Sequence, residues 1–319
     1  MTLPRQELLK KYRKPQNLVI AQFQCLLNIL LHEIQNKSFF LAALFLISIS
    51  EALAQPYLDL FTVRYINSPN IGKVGKDKNP TRLDYLNISA TFPILLKNKN
   101  DALVLSPFFE KWTTRVDSIS GFSDYYYGLV LPVTLIKSIP NSKWSLLTTA
   151  ILRMNDAYFN SHSEWQFGGA ILATKQVKKD LVYKLGVYLN SDFFGLFVVP
   201  LLGIDWQINE RTNLFGVLPA SLTLEYKLDS KFYTGAVFRT FTNSYYDVGP
   251  NYMRIDENEL GLFLDFYPAK KILLNAEVGH SILRKIRSGS WHDVHDSWYA
   301  DNNIYFKFAI AYRFRLRGN

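Results

Sequence analysis

The sequence predicts an all-β chain, a single transmembrane antiparallel β-barrel of 12–14 strands with short periplasmic turns and long external loops. Three observations carry this expectation. From Pro56 onward, apolar and polar residues alternate with the period of a strand. The alternating runs are about 10 to 14 residues long, roughly twice the usual soluble strand and the length a tilted membrane strand needs. The connections between runs switch in turn between short and long, as transmembrane barrels require.

Composition agrees with this class. The 319 residues are 48% hydrophobic and 15% aromatic, with 23 Phe and 19 Tyr, yet the mean hydropathy is near zero. Only every second residue of a membrane strand meets lipid, so aromatic residues accumulate without overall hydrophobicity. A helical membrane protein needs several apolar runs of about 20 residues, and none follows residue 55. The net charge of +9 raises nucleic acid as a partner. No basic helical stripe or recognised binding motif accompanies the charge, which argues against that partner. The single cysteine, Cys25, precedes the expected mature chain and leaves it without disulfide or thiolate chemistry.

Taken in chain order, residues 1–36 form an N-terminal extension, expected to lie upstream of a true start nearer Lys37. Residues 37–54 read as a signal peptide: Lys37 leads an apolar stretch over 39–49, and Ala52-Leu53-Ala54 places small residues where a signal peptidase reads. Cleavage is expected between Ala54 and Gln55. An uncleaved anchor fits less well, because the apolar stretch is too short to span and Glu51 interrupts any extension.

The barrel is assigned to 55–319, with strands at 57–66, 82–95, 101–113, 124–137, 143–154, 164–175, 180–190, 197–208, 212–217, 220–228, 230–241, 257–267, 270–281 and 303–316. Turns after even-numbered strands are short and polar, such as Asn209-Glu210-Arg211 and Asp229-Ser230. Connections after odd-numbered strands are mostly longer, at 67–81, 114–123, 155–163, 242–256 and 282–302. One pair fits poorly. Strands 212–217 and 220–228 are joined only by Leu218-Pro219, and proline interrupts a ladder. Keeping or dropping both preserves the parity, giving fourteen or twelve strands.

The last strand shows the two faces best. Ile304, Phe306, Phe308, Ile310, Tyr312 and Phe314 alternate with Tyr305, Lys307, Ala309, Ala311, Arg313 and Arg315. With apolar faces turned to lipid, the lumen-lining candidates are Lys184, Asp205, Glu225, Lys227, Arg239, Asp265, Glu277, Lys307, Arg313 and Arg315. Enclosed charges of both signs brace a wall or set the selectivity of a pore. The three cations of the final strand predict a mild anion preference. Trp112, Tyr125, Tyr126, Tyr127, Trp144, Trp165 and Trp206 lie near strand ends, where interfacial girdles form.

Several local motifs add a resemblance. These are Tyr57-Leu58-Asp59-Leu60 opening the first strand, the Leu218-Pro219 hairpin followed by Leu224-Glu225-Tyr226-Lys227, and Glu257-Asn258-Glu259-Leu260-Gly261-Leu262 leading to a Tyr267-Pro268 turn. With the preceding signal segment, the chain after residue 55 resembles a family of bacterial outer-membrane β-barrel proteins that carries only a domain-of-unknown-function label. The resemblance implies the fold and the location, and no functional residues.

These readings give a pore for small hydrophilic solutes in the outer membrane of a Gram-negative bacterium, reached through a cleaved signal peptide. The expected partners are outer-membrane lipid and the barrel-assembly machinery. The apolar outer wall suits lipid and a sister barrel equally. A non-conducting structural barrel and a rim-located lipid-modifying hydrolase are the alternatives. The hydrolase would draw on His280 and Ser281 with His292, Asp293, His295 and Asp296 from the loop that follows. The same His/Asp run offers metal ligands, although its spacing suits a hydrophilic external loop equally well. No cofactor, metal or catalytic residue is assigned.

Overall fold

Inside hydrocarbon every backbone N–H and C=O needs a partner, and a sheet supplies one to all of them only by closing on itself. The computed structural model describes residues 56–72, 82–96, 101–114, 124–159, 164–247 and 251–316. These residues form one antiparallel sheet whose first and last strands pair. The extension 1–36, the signal segment and the Ala54/Gln55 cleavage pair lie outside the described residues. No helix among the described residues is long and apolar enough to cross a membrane. Strands make the crossing.

The strands are β1 (Tyr57–Ser68), β2 (Leu83–Ala90), β3 (Phe92–Leu95), β4 (Ala102–Leu105), β5 (Phe108–Thr113) and β6 (Tyr125–Ser138). They continue with β7 (Trp144–Asp156), β8 (Trp165–Lys178), β9 (Leu181–Asp192), β10 (Gly195–Gln207), β11 (Thr212–Leu218) and β12 (Ser221–Lys227). The last are β13 (Phe232–Tyr246), β14 (Asn251–Ala269), β15 (Ile272–Ser281), β16 (Lys285–Ser290), β17 (Asp293–Tyr299) and β18 (Ile304–Arg315). β2 with β3 forms one stave broken at Thr91, and β4 with β5 another broken at Ser106-Pro107. β16 and β17 pair beside β14 and stand outside the circuit, because β15 pairs directly with β18. Fourteen staves therefore close the wall.

The doubtful pair belongs to the wall: β11 and β12 bond to each other and to β10 and β13. They are short, however. Above their Leu218-Pro219 turn, residues 195–201 of β10 and 241–246 of β13 have no strand between them, which leaves a notch.

Alternation fixes which side each residue faces. Phe308, Ile310 and Leu262 are 61%, 58% and 65% exposed on the outer surface, while Lys307, Ala311 and Arg313 of the same stretch are buried inside. Trp144 and Trp165 are exposed at opposite ends of the wall, and Trp165 pairs with Met154, ten residues along β7 from Trp144. At about 3.3 Å per residue and a tilt near 40°, that separation is roughly 25 Å across the bilayer, the height of an outer apolar belt. Tyr125 and Trp206 are exposed at strand ends in the same way. Trp112 and Tyr126 are not part of a girdle. Both are buried within the barrel, because their parity puts them inward and the end they occupy is filled.

The filled end is the one opposite the short turns at 208–211, 228–231 and 270–271, and so the external one. Within 242–256, expected as a loop, residues 242–246 and 251–256 are instead the prolonged ends of β13 and β14. This hairpin leans across the mouth. Tyr246 pairs with Asp156 of β7 on the far wall, and the Ala157 N–H donates to the Tyr246 carbonyl at 3.0 Å. The Tyr126 hydroxyl donates to Asp247 at 2.6 Å, and Asn155 donates to the Ser244 carbonyl at 3.1 Å. The Ser244 hydroxyl donates to Asp192 at 2.8 Å and accepts from the Phe193 N–H. Beneath the hairpin, Trp112, Tyr126, Tyr245, Met253, Ile255, Ile286 and Tyr305 belong to one buried apolar cluster. Loop 282–302 likewise holds a hairpin, β16–β17, which pairs with β14 of the first hairpin, the lid, and whose turn reaches the β9–β10 turn, the His292 N–H donating to the Phe193 carbonyl at 3.0 Å.

A cation forced onto the outer face tests the direction of that face. Phe308→Arg is expected to lower the free energy of folding into lipid vesicles by about 2–4 kcal/mol, measured by denaturant titration.

Candidate functional site in the lumen

Charges enclosed by a barrel wall must be paired or hydrated, and here most are paired. Lys184 of β9 meets Asp205 of β10 at 2.6 Å. Arg239 of β13 bonds Glu259 of β14 at 2.9 Å and also Glu277 of β15. Glu277 further accepts from Lys307 and, at 2.7 Å, from the Tyr305 hydroxyl. Gly261 and Gly279 give that hydroxyl its place, since a Cβ on either would collide with it. Arg313 of β18 bridges Asp59 of β1 at 2.8 Å and Asp265 of β14 at 3.0 Å, and its guanidinium lies 3.4 Å above the Tyr57 ring. Asn275 donates a further bond to Asp265. Arg315 joins Glu225 of β12 at 3.1 Å. Lys227 stands at the periplasmic mouth among Lys231, Lys270 and Lys271.

The network changes the electrostatic expectation. Lys307, Arg313 and Arg315, the expected source of anion preference, each have a carboxylate partner. They brace the wall and carry little uncompensated charge.

Sequence reasoning passed over the residues around an upper cavity of about 600 Å³ beneath the lid. Its ionisable lining includes Arg64, Arg153 and Glu110. Glu110 is buried and receives the hydroxyls of Tyr85 at 3.0 Å and Tyr245 at 2.7 Å, with the Asn243 amide at 3.1 Å. Arg153 is 7% exposed. It donates only to neutral acceptors, Asn243 Oδ1 at 3.0 Å and the Tyr188 hydroxyl at 3.3 Å, and its Nε has no partner. Arg64 donates to Asn87 at 3.3 Å. The rest of the lining on β7, β8 and β10 includes the apolar Leu147, Leu172, Phe197, Val199 and Leu201. A signal was present: Arg153 shares the inward parity of β7 with Thr149 and Asn155.

Two further spaces adjoin this cavity below. Arg64 and Ser89 also line a central cavity of about 340 Å³. Arg313 is shared between that space and a third, of about 690 Å³, at the periplasmic mouth.

The rim does not bring His280 and Ser281 together. His280 faces outward and Ser281 is fully buried facing inward, as adjacent strand residues must. The Ser281 hydroxyl is engaged by Arg284, and His280 Nδ1 lies 2.8 Å from the Ser281 carbonyl oxygen. In the loop, His295 pairs with Ser290 at 3.0 Å. Among the described residues no group of three His, Cys, Asp or Glu side chains is placed to hold a metal.

A closed wall, an apolar outer belt and a charged, cavity-bearing lumen define a channel-like transmembrane β-barrel. The chain belongs to the family defined by a domain of unknown function, DUF6268, whose model matches residues 125–314. It is also similar in structure to the NanC porin (9% identity, TM-score 0.38), covering 79% of this chain and 98% of that one. An outer membrane channel from Pseudomonas putida F1 gives 11% identity and TM-score 0.40, with 80% and 94% covered. The KdgM porin gives 12% identity and TM-score 0.34, with 79% and 99% covered. No curated protein matches the chain.

Glu277 is the hub of the luminal network. Glu277→Ala leaves Arg239 and Lys307 as neighbouring buried cations, and is expected to destabilise the barrel by about 3–5 kcal/mol, read as a lowered denaturant midpoint.

Proposed function

We propose that the protein is an outer-membrane channel for small solutes, whose external mouth opens when the β13–β14 hairpin swings off the far wall. The observation that carries this reading is a series of three luminal spaces from beneath the lid to the periplasmic mouth, adjoining at Arg64 and Ser89 and at Arg313. A barrel kept only as a scaffold has no need of such a series, and fourteen staves enclose more room than a side-chain core fills. Toward the far wall a few hydrogen bonds hold the lid rather than a continuous ladder, which suits a two-position element that moves together with β16, its partner along β14. Selectivity in this reading is a mild anion preference set by Arg64 and Arg153.

One observation favours a second reading, the non-conducting barrel: a buried apolar cluster packs the lid against the wall at the external end. Planar-bilayer recording separates the two. The channel reading expects discrete, brief current steps. Tyr126→Phe combined with Ser244→Ala removes side-chain anchors of the hairpin. Each bond to a charged group is worth about 1.5–3 kcal/mol, so the open fraction should rise roughly tenfold or more. Silence from both proteins, each shown to be folded, would discard the channel and leave the structural barrel.

A further inference from the structure

The upper cavity has two features that a passage for water and ions does not require. Its wall is mixed. Leu147, Leu172, Val199 and Leu201 make an apolar surface on β7, β8 and β10, with Arg153 of β7 beside it and Arg64 reaching in from β1. Its charge is also unbalanced, because the lining carries two guanidinium groups and one carboxylate, Glu110. That carboxylate is committed to Tyr85, Tyr245 and Asn243, and Asn243 stands between it and Arg153.

Arg153 is deeply buried, its hydrogen-bond partners are neutral and its Nε has none, while the carboxylates of Asp192 and Glu110 act on it only through space. A buried charge without a directly bonded counterion is costly, and a ligand of opposite sign relieves that cost. Guanidinium presents a planar set of donors that fits a carboxylate through paired hydrogen bonds. A hydrocarbon body fits the adjoining apolar surface.

We propose that this cavity binds an amphipathic monoanion, a carboxylate carrying an aliphatic or aromatic body. Arg153 and Arg64 hold the head group, and the Leu147, Leu172, Val199 and Leu201 surface holds the body. One negative charge brings the lining to neutrality. The space, about 600 Å³, lies within the range of small-molecule pockets. Pro219 and Ala220 line it as well, so it reaches the foot of the notch between β10 and β13. The proposal deepens the channel reading by naming a ligand class for the same lumen. Its test is equilibrium binding, which does not depend on whether the barrel conducts.

The purified protein in lipid nanodiscs is titrated by calorimetry with 4-phenylbutyrate, 4-phenylbutyramide, acetate and phenylpropyl phosphate, using empty nanodiscs as the blank. Saturable one-site binding of phenylbutyrate is expected, with the amide and acetate each at least tenfold weaker. A charge-assisted bond contributes about 1.5–3 kcal/mol, so R153Q should weaken phenylbutyrate by about tenfold or more. R64Q should weaken it less, and R153K should fall between wild type and R153Q, because it keeps the charge and loses the fork. Retained heat-modifiable gel mobility shows that each variant is folded, and R64Q alone suffices for the test if R153Q does not fold. Equal binding of acid and amide, or unchanged binding in both folded glutamine variants, overturns the proposal. Tighter binding of the phosphate ester than of the acid overturns the carboxylate assignment.

Discussion

The requirement that no peptide group be left unpaired in hydrocarbon governs the rest of this molecule. It demands closure, and closure joins the two ends of the chain: β1 pairs with β18 across residues separated by more than two hundred positions. Short turns help every other neighbouring pair of staves to meet, and nothing local helps this one. The luminal side chains reinforce it. Arg313 reaches Asp59 on one side of the seam and Asp265 on the other, and Lys307 ties β18 back to Glu277 on β15. These pairs are screened by the wall from lipid and partly from water, so breaking one leaves a stranded charge and costs more than forming it gained. The ionic ladder thus serves register and closure first.

Closure also dictates what the sequence reveals. Parity in β18 separates Phe306, Phe308 and Ile310 from Lys307 and Arg313 without reference to any other strand. A single period-two run therefore discloses orientation, and fourteen such runs disclose a barrel. Where the face is not set by lipid, the same reading fails. Trp112 and Tyr126 have the composition of a girdle and lie at strand ends, yet they point inward and meet the hairpin from the far wall. That contact depends on where β13 bends, which no local pattern encodes. For the same reason 242–256 resembled a loop: its residues answer to partners across the mouth, at Asp156, Tyr126 and Asn155.

The luminal charges were legible as inward-facing and illegible as pairs. Whether Arg315 meets Glu225 depends on stagger around the circuit, fixed by turn lengths and bulges such as the shift between Gln176 and Lys178. The cavity was partly legible. In β10, Leu196, Val198 and Leu202 face lipid while Phe197, Val199 and Leu201 face inward, so the strand is apolar on both sides. A strand of that kind in a barrel with a wet lumen contradicts simple alternation. The contradiction marks a place where the interior is not merely wet.

The lumen is then best understood as two walls with different duties. On β12–β15 and β18 acids and bases neutralise one another and fix the staves. On β7–β10 most inward positions above Lys184–Asp205 are apolar or small, and the guanidinium of Arg153 faces neutral partners. Were the purpose only rigidity, an acid opposite Arg153 would have been the cheaper arrangement, as it is for every cation of β18. The two carboxylates that act on it, Asp192 and Glu110, are instead bonded elsewhere, Asp192 to Gln166, Asn190 and Ser244 and Glu110 to two tyrosines and an asparagine. Committing these acids to neutral donors leaves the guanidinium without a directly bonded counterion. A charge so placed, beside an apolar wall and under a lid, is the arrangement of a site that exchanges its counterion.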